Sequence, residues 1–567
     1  MTDTTPALAL TANGALSHAT ASSNAIENAL TELIYRSVRG ATAWQFKAGL
    51  DALVGAGRMA DLAVMAFYVR DVRGGKGERQ LGRELIHETV KRMTECQPDT
   101  LSKVLRLVPE YGRWDDLVWL YNASADVSDA SADAVREHVL SIVADQLTSD
   151  QAMLNAYLST FPEIEQTPSV SMSLCSKWVP SERSAMDCGR FFRALCKRLK
   201  FAPKELRQML SAMRAFLNIV ETKLTSGTLS DVSYSAVPSQ AMQRYKKAFR
   251  LRDTERFGKW TEDVAAGKTK VNVGTLTPPQ LAMEMINRFT GYENGSVEKS
   301  LIESQWDAMI RKARQLNLPN MLVMADVSGS MAINKCLPMS VSIGLGMFIS
   351  ELTTGTFHDR IMTFSKDPAL VELSGGVTER FRQVRNTPWG MNTDLQAAFG
   401  LVLEEYRKNR DAGKDVAPIQ TLIIISDMQF DQAVLGGAQV TNFEAIKARF
   451  REQEFEMPSV IFWNVANGSG EVPVKMHETG TMLFSGFTPA LLRFITEGKT
   501  ISTQSVISDV LNDERYAKVR AAFAAAAVGA PIAAIPVTPT FVASSTETAL
   551  PDEIEIGYVQ VDDARDI

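Results

Sequence analysis

MLVMADVSGSM, residues 321–331, places an apolar run directly before three oxygen-bearing side chains at two-residue steps. The run is typical of a buried strand, and Gly329 lets the chain turn sharply after it. Asp326, Ser328 and Ser330 are therefore expected at the carboxyl end of a strand, where open α/β sheets bind their ligands. A carboxylate and two hydroxyls are hard oxygen donors, which suit Mg²⁺ or Mn²⁺ and are poor ligands for zinc.

Two further oxygen donors follow along the chain. Thr393 lies in WGMNTD (389–394), just before a predicted helix, and Asp427 ends a second apolar run, TLIIISD (421–427). Because DxSxS is common by itself, the prediction of a metal site depends on all five donors together. In the structural alternative, Asp326 only caps the backbone of a strand-end turn.

Short apolar runs alternate with helical patterns throughout this part of the chain. Helices are predicted at 337–353, 394–408 and 442–453. The predicted strands are NMLVMAD, RIMTFS, TLIIISD, SVIFWNVA and TGTMLFS. Such alternation is typical of βαβ units around a buried, mostly parallel sheet. We therefore predict a doubly wound α/β domain over residues 316–510.

Residues 25–315 carry a different pattern, with apolar side chains at three- and four-residue intervals. Successive short helices with glycine or proline breaks predict an α-helical, HEAT-like repeat domain. Residues 1–24, rich in Thr, Ala and Ser, are expected to be a flexible lead. Residues 511–567 are expected to be an Ala/Pro-rich and then acidic tail. The chain is thus predicted to be multidomain.

Composition narrows the class of protein. The 567 residues carry a net charge of −6 and five cysteines without a CxxC pair, which suits a reducing cytosol better than a disulfide framework. We identify no apolar stretch of the ~18–20 residues that a membrane helix needs, and no basic region opens the N-terminus. A soluble, cytoplasmic protein without membrane contact is expected.

One segment is strongly basic. Residues 177–275 contain twenty Lys or Arg and nine Asp or Glu, and aromatic residues are interleaved with the tightest cluster. Basic and aromatic side chains together suit a phosphate backbone and stacked bases. The alternative is that Phe249 and Phe257 belong to a core and that the cations form a solvated helix face. The candidate RNA-binding residues here are Arg244, Lys246, Lys247, Arg250 and Arg252.

A glycine-rich basic loop precedes this segment. VRDVRGGKGERQ (69–80) contributes Arg70, Arg73, Lys76 and Arg79 as further candidate RNA-binding residues, although the spacing is not that of a Walker A loop. Its glycines would either let backbone N–H groups approach a phosphate or form an interhelical turn. In EYGRWDDL (110–117), the two aspartates are expected to cap a helix.

The residues of the metal constellation also carry a family resemblance. DVSGS, NTD and ISD, in this order, resemble the metal-ion-dependent adhesion site (MIDAS) of von Willebrand A domains. The resemblance implies that Ser328, Ser330 and Thr393 contact the metal directly. It implies that Asp326 and Asp427 act mainly through water. A sixth position would be left for the carboxylate of a partner.

The wider chain resembles an uncharacterised family that joins a helical N-terminal half to a von Willebrand A domain. The motifs VRGGKGERQ, EYGRWDDL, CSKWVPSE and VPSQAMQRYKKAFRLRD carry this resemblance, and the layout is similar to that of Ro/TROVE ribonucleoproteins. The resemblance implies a protein that binds small structured or single-stranded RNA. The motif loops place no histidine, lysine or cysteine beside Asp326 and Asp427, so we expect the protein to be non-catalytic. The second hypothesis is a protein-binding adaptor that captures an acidic partner group through the metal site.

Overall fold

A helical half and an α/β part make up the computed structural model of the chain, and one continuous hydrophobic core runs through both. The predicted layout of a helical first half followed by an α/β second part is confirmed. The structure describes residues 8–96, 98–125, 130–160, 172–289, 296–316, 318–364, 368–387, 394–413, 418–431, 441–468, 470–496 and 498–524.

The helical half follows the three- and four-residue spacing of its apolar side chains. Helix α3 lies at its centre: ten of the twelve residues of α3 are buried, because other helices cover it on several sides. The helices are α1 (Ala25–Tyr35), α2 (Lys47–Gly55), α3 (Met59–Arg70), α4 (Arg79–Cys96), α5 (Pro98–Tyr111), α6 (Trp114–Ala123), α7 (Ala130–Thr160), α8 (Cys175–Trp178), α9 (Phe191–Leu199), α10 (Pro203–Phe216), α11 (Val220–Ser226), α12 (Ser239–Arg252), α13 (Thr254–Ala265), α14 (Pro278–Phe289) and α15 (Ser296–Ala313).

A second, smaller core lies beneath α12 and α13. Phe249 and Phe257 are buried there, and their ring centroids are 5.8 Å apart. Trp260 stacks on Phe257 and donates a hydrogen bond from Nε1 to Ser235 Oγ. These aromatic rings are therefore core residues, which confirms the alternative interpretation of Phe249 and Phe257 and leaves the two rings unavailable for stacked bases.

The α/β part is built on a six-stranded sheet in the order β5-β4-β3-β6-β7-β8. All pairs are parallel except β4 with β5, so the order is that of a doubly wound sheet with an antiparallel edge. Strands β3 and β6 are buried at every residue, as their unbroken apolar sequences predict. The strands are β3 (Met321–Asp326), β4 (Arg360–Phe364), β5 (Ala369–Glu372), β6 (Thr421–Ser426), β7 (Ser459–Asn464) and β8 (Thr481–Ser485).

Between the first and the last predicted strands of this part, one described strand and one described α-helix have no counterpart among the predicted ones. The edge strand β5 has only four residues, of which two are exposed, so its signal in the sequence is short. The other element is α17. The helices are α16 (Ile333–Leu352), α17 (Val377–Arg385), α18 (Leu395–Asp411), α19 (Asn442–Glu452), α20 (Thr503–Asn512) and α21 (Ala517–Ala524).

Helix α16 corrects one prediction about membrane segments. Gly329–Leu352 is long and apolar enough to cross a membrane by composition, contrary to the expectation that no stretch would be. In the folded chain, α16 lies between α14 and β3, and 67% of its most apolar stretch is buried. Its hydrophobicity is that of a core helix.

The N-terminal segment also needs correction. Residues 8–24 were expected to belong to a flexible lead, but β1 (Leu8–Leu10) and β2 (Leu16–His18) form an antiparallel hairpin. The hairpin is hydrogen-bonded to the α/β part, where the backbone of His18 exchanges two bonds with that of Val472. Amino-acid composition does not predict this hairpin contact, because the partner segment lies more than 400 residues away in sequence.

Thr11 provides a test of this contact. Its buried Oγ1 donates to the carbonyl of Phe430 over 2.8 Å and accepts from the N–H of Ala15 over 2.9 Å. Thr11→Val keeps the shape but leaves both backbone groups without this partner, so we expect a loss of about 1–3 kcal/mol. Hydrogen exchange of the hairpin amides measures it. Unchanged protection would show that the hairpin does not depend on this contact.

The C-terminal segment extends the ordered part beyond the predicted boundary at 510. Helices α20 and α21 pack against α3, and α21 also packs against α5. Tyr516 is fully buried between them, and Arg515 forms an ion pair with Asp71. Residues 511–524 are therefore not part of a tail, whereas residues 525–567 lie outside the described residues.

Candidate metal centre and basic surfaces

The candidate metal residues lie where the strand order reverses. Strands β3 and β6 are parallel neighbours in the centre of the sheet, and the chain leaves them toward opposite edges. Asp326 ends β3, and Asp427 directly follows β6. In doubly wound sheets, a crevice opens at this point beyond the carboxyl ends of the strands, and ligands bind in it. The two acids thus occupy the position predicted from their strands.

The loop after β3 is organised around Asp326. The N–H of Ser328 donates to Asp326 Oδ1 over 2.8 Å, and the hydroxyls of Ser328 and Ser330 are 3.1 Å apart. Asp326 and Ser328 are buried, whereas Ser330 is partly exposed. The structure therefore brings one carboxylate and two hydroxyls together, as the DxSxS spacing predicts.

Ser426 is a residue of this site that the sequence prediction missed. Its hydroxyl donates across the sheet to Asp326 Oδ2 over 2.5 Å and accepts from the N–H of Met428 over 3.0 Å. On the same loop, Asp427 Oδ1 accepts from the N–H of Gln429 over 3.1 Å. The available signal was its place as the last residue of an apolar strand, directly before Asp427.

Without a bound cation, two neighbouring buried carboxylates, Asp326 and Asp427, raise the electrostatic free energy of the folded protein. Burial and the nearby charge of Asp427 raise the pKa of Asp326 to about 7, although hydrogen bonds from Ser328 and Ser426 oppose the shift. Two buried carboxylates close together favour either a shared proton or a positive ion between them. This supports a site for a cation over a simple strand-end cap.

The donor set fits a hard divalent cation. Asp326, Ser328, Ser330 and Asp427 offer carboxylate and hydroxyl oxygens, the ligands that Mg²⁺ and Mn²⁺ prefer. Thr393, the fifth predicted ligand, lies outside the described residues. Within the described ranges, no group of three or more His, Cys, Asp or Glu residues is placed to hold a metal. A site here therefore requires the hydroxyls as well as the acids.

The glycine-rich loop between α3 and α4 is an interhelical turn. The N–H groups of Lys76 and Glu78 donate to the carbonyls of Tyr68 and Val69, both over 2.9 Å, and so cap the end of α3. A Cβ on Gly75 would lie 2.0 Å from the Tyr68 carbonyl oxygen, so only glycine fits. These backbone donors are already used, which decides against a phosphate cradle formed by them.

Lys76 lies inside the protein, where we expected it on an RNA-facing surface. Its side chain is 2% exposed, and Nζ donates to the carbonyls of Ile34 and Ser37 and to Ser485 Oγ. Burial holds its pKa well below the ordinary value for lysine, although Glu78 opposes the shift. Because Ser485 ends β8, this lysine connects the helical half to the carboxyl edge of the sheet.

Arg70 and Arg79 belong to a buried ion network. Arg70 pairs with Asp116 and Arg79 with Asp115, both over 2.8 Å, and the two carboxylates are at most 1% exposed. Asp116 also accepts from the N–H of Arg113 at the start of α6, so its predicted capping role is confirmed. Arg83 and Arg113, which were not among the predicted site residues, complete the network. Arg73 is exposed.

The candidate residues on α12 differ in exposure. Lys247 and Arg252 are exposed, whereas Arg244 and Arg250 are half-buried. Lys246 forms an ion pair with Glu284 of α14 and donates to Gln243. Only part of the predicted basic cluster is therefore directed to solvent, and RNA contact by these residues stays a prediction.

Comparisons with known proteins divide the chain at the same place as the fold. Residues 193–317 match the family model Domain of unknown function (DUF2828), and residues 320–529 match Domain of unknown function (DUF7788). Both matched families are of unknown function. The chain is also similar to Uncharacterized protein L728 of Acanthamoeba polyphaga mimivirus, at 29% identity over 478 residues. This similarity covers 80% of the chain and 79% of the viral protein. None of these descriptions states an activity, ligand or partner.

Proposed function

We propose that the protein is a non-catalytic, Ro-like RNA-binding protein with a metal-binding α/β domain. Asp326, Ser328 and Ser330, with Asp427 and Thr393, would hold Mg²⁺ or Mn²⁺ in a MIDAS-like site. The observation that carries the metal-binding proposal is the meeting of Asp326, Ser328, Ser330 and Asp427 at the central strand-order reversal. The α/β part would be of von Willebrand A type, and the helical half a TROVE-like domain of HEAT-like repeats.

The bound cation would supply a positive charge that captures an acidic group. Neutral hydroxyl ligands leave more of that charge uncompensated than a set of carboxylates would. Asp326 and Asp427 would orient hydroxyls and water around the ion, as their hydrogen bonds to the two loops already fix their positions. This arrangement favours capture of a ligand over chemistry on it.

The surface of α12 and α13 supports the RNA-binding part of the proposal. Lys247, Arg252 and Lys259 are exposed along these helices, within the segment that carries twenty basic and nine acidic residues. Exposed lysines and arginines bind the phosphate backbone through Coulomb attraction and counterion release. The aromatic residues beneath them hold the helices in place without contacting bases.

A filter-binding titration of the full chain with single-stranded RNA at several salt concentrations tests this proposal. We expect sub-micromolar, salt-sensitive binding. The triple variant Lys247→Gln, Arg252→Gln, Lys259→Gln should reduce the slope of log K against log salt by about 2, because each lost phosphate contact removes about 0.7. Lys408→Gln on α18, which is exposed and pairs within its own helix, is the control. Absence of binding at low salt would refute the proposal.

The alternative is an adaptor that captures an acidic group of a protein partner at the metal. The partial exposure of Ser330 favours this alternative, because an acidic group of a partner could reach the metal site from solvent at this residue. If it holds, an acidic peptide should bind the full chain in Mg²⁺ and not in EDTA. RNA binding should then be absent in both conditions, which separates the adaptor from the RNA-binding protein.

A further inference from the structure

A cavity of about 320 Å³ lies where both ends of the helical half meet the α/β part. The loop between α3 and α4 forms one wall, with Arg39 and Arg113 beside it. The segment leading into α14 forms a second wall, and Leu337 and Phe487 of the α/β part close the third. The volume is within the range of about 300–1,000 Å³ that small-molecule sites occupy.

The charged side chains that line this cavity all have one sign. Within the described part of the chain, four arginines line the cavity and no acidic residue does: Arg39, Arg70, Arg79 and Arg113. Clefts lined by one sign of charge concentrate oppositely charged ligands. Guanidinium groups in particular match the geometry of phosphate oxygens, to which they donate two parallel hydrogen bonds. The lining therefore selects for an anion.

Carboxylates behind the wall hold the guanidinium groups in place. Asp115 accepts from Arg79 over 2.8 Å and from Arg113 over 2.9 Å, and Asp116 accepts from Arg70 over 2.9 Å. Arg39 is fixed less tightly, 3.5 Å from Glu78 and over the ring of Phe487. Because most of these side chains are already ordered, an anion would bind without a large loss of side-chain entropy.

The opposite side of the cavity suits a flat ring that carries hydrogen-bonding groups. Met283, Leu337 and Phe487 contribute apolar surface, and the amides of Gln240 and Gln280 are hydrogen-bonded to each other over 3.1 Å. The ligand should therefore have an anionic end and a ring end.

We propose that this cavity binds a small organic phosphate of the nucleoside monophosphate class. The phosphate lies against Arg39, Arg79 and Arg113, and the base lies between Met283 and Phe487. Among the described residues, none of the candidate metal ligands and none of the exposed cations of α12 and α13 lines this cavity. The protein recognises the ligand through both its phosphate and its ring.

Isothermal titration of the full chain, in EDTA, tests the proposal with AMP, UMP, adenosine and inorganic phosphate. Either or both nucleotides should bind, adenosine should give no heat, and inorganic phosphate should bind at least about 10-fold more weakly. A 5′-phosphorylated RNA oligonucleotide tests the other source of the same chemistry. Competition between oligonucleotide and nucleotide supports the site, and binding of the oligonucleotide alone overturns the proposal.

Two variants test whether the nucleotide binds in this cavity. Arg39→Gln removes a half-exposed cation and should weaken the nucleotide about 10-fold or more. Met283→Trp fills the ring end and should abolish binding of the nucleotide while leaving inorganic phosphate unchanged. Arg106→Gln, an exposed cation on α5, is the control, and circular dichroism verifies the fold of each variant. Unchanged nucleotide affinity in both cavity variants, or no nucleotide binding by the wild type, overturns the proposal.

Discussion

Replacing Asp116 with alanine is expected to lower the free energy of unfolding of the helical half by about 3–5 kcal/mol. Asp116 Oδ1 accepts from Arg83 over 2.5 Å, and Oδ2 accepts from Arg70 over 2.9 Å and from the Arg113 N–H over 2.8 Å. Without this carboxylate, buried guanidinium groups lose their partner, and an unpaired buried charge is the costly outcome. Urea unfolding followed by circular dichroism measures the loss.

An exposed pair provides the control for this prediction. Arg106 and Asp145 form an ion pair over 2.9 Å, and both side chains are more than half exposed. Asp145→Ala should therefore change the free energy of unfolding by about 0–1 kcal/mol. Equal effects of Asp116→Ala and Asp145→Ala would show that the buried network does not stabilise the helical half.

The same network gives the stability a defined pH dependence. Burial alone would raise the pKa of Asp116, but the charges of Arg70 and Arg83 outweigh it and hold this pKa well below its ordinary value of 3.8. The stabilisation is complete above the unfolded-state pKa and is lost as the pH falls toward the folded-state pKa. The difference in stability between the wild type and Asp116→Ala should therefore shrink below about pH 4.

Asp326→Asn is expected to weaken Mg²⁺ or Mn²⁺ binding by about 10–100-fold. Asparagine keeps the size of the side chain, but it removes the negative charge at the centre of the site. Since Asp326 lies beside a second buried acid, the variant should fold at least as stably as the metal-free wild type. Isothermal titration with Mn²⁺ measures the affinity.

Asp411→Asn controls for a general loss of negative charge, because Asp411 is 73% exposed at the end of α18. The affinity of the Asp411→Asn variant for Mn²⁺ should equal that of the wild type. If the metal-free wild type takes up neither Mg²⁺ nor Mn²⁺, the assignment of the site is wrong. If Asp326→Asn binds as tightly as the wild type, the ion binds elsewhere.

The α/β part could be predicted in detail because its signals are local. Strands β3 and β6 are buried on both faces, so each contains one apolar run, which Asp326 follows directly and Asp427 follows after Ser426. Two parallel neighbours bring such strand ends together whatever the loops do. The position of Asp326 near Asp427 therefore follows from the sequence, whereas the bond from Ser426 requires the register of the sheet.

The basic loop could not be interpreted from its own residues. Arg70 and Lys76 have the composition of an anion-binding surface, yet they are buried by partners 46 and 409 residues away along the chain. The N-terminal hairpin was missed for the same reason, because its composition is that of a disordered segment. In each case, a distant contact determines whether a polar residue faces water.

The contact between α21 and α3 also affects how the chain is made. Arg515 and Asp71 are separated by 444 residues, and Tyr516 completes the cover over Tyr68. At roughly 5–20 residues per second, a ribosome needs roughly 20–90 seconds to synthesise that interval. Throughout this time, the surface of α3 that later contacts α21 is without its native cover. The growing chain is therefore open to aggregation, and chaperones that bind apolar surface should associate with its ribosome-bound form until translation passes residue 524.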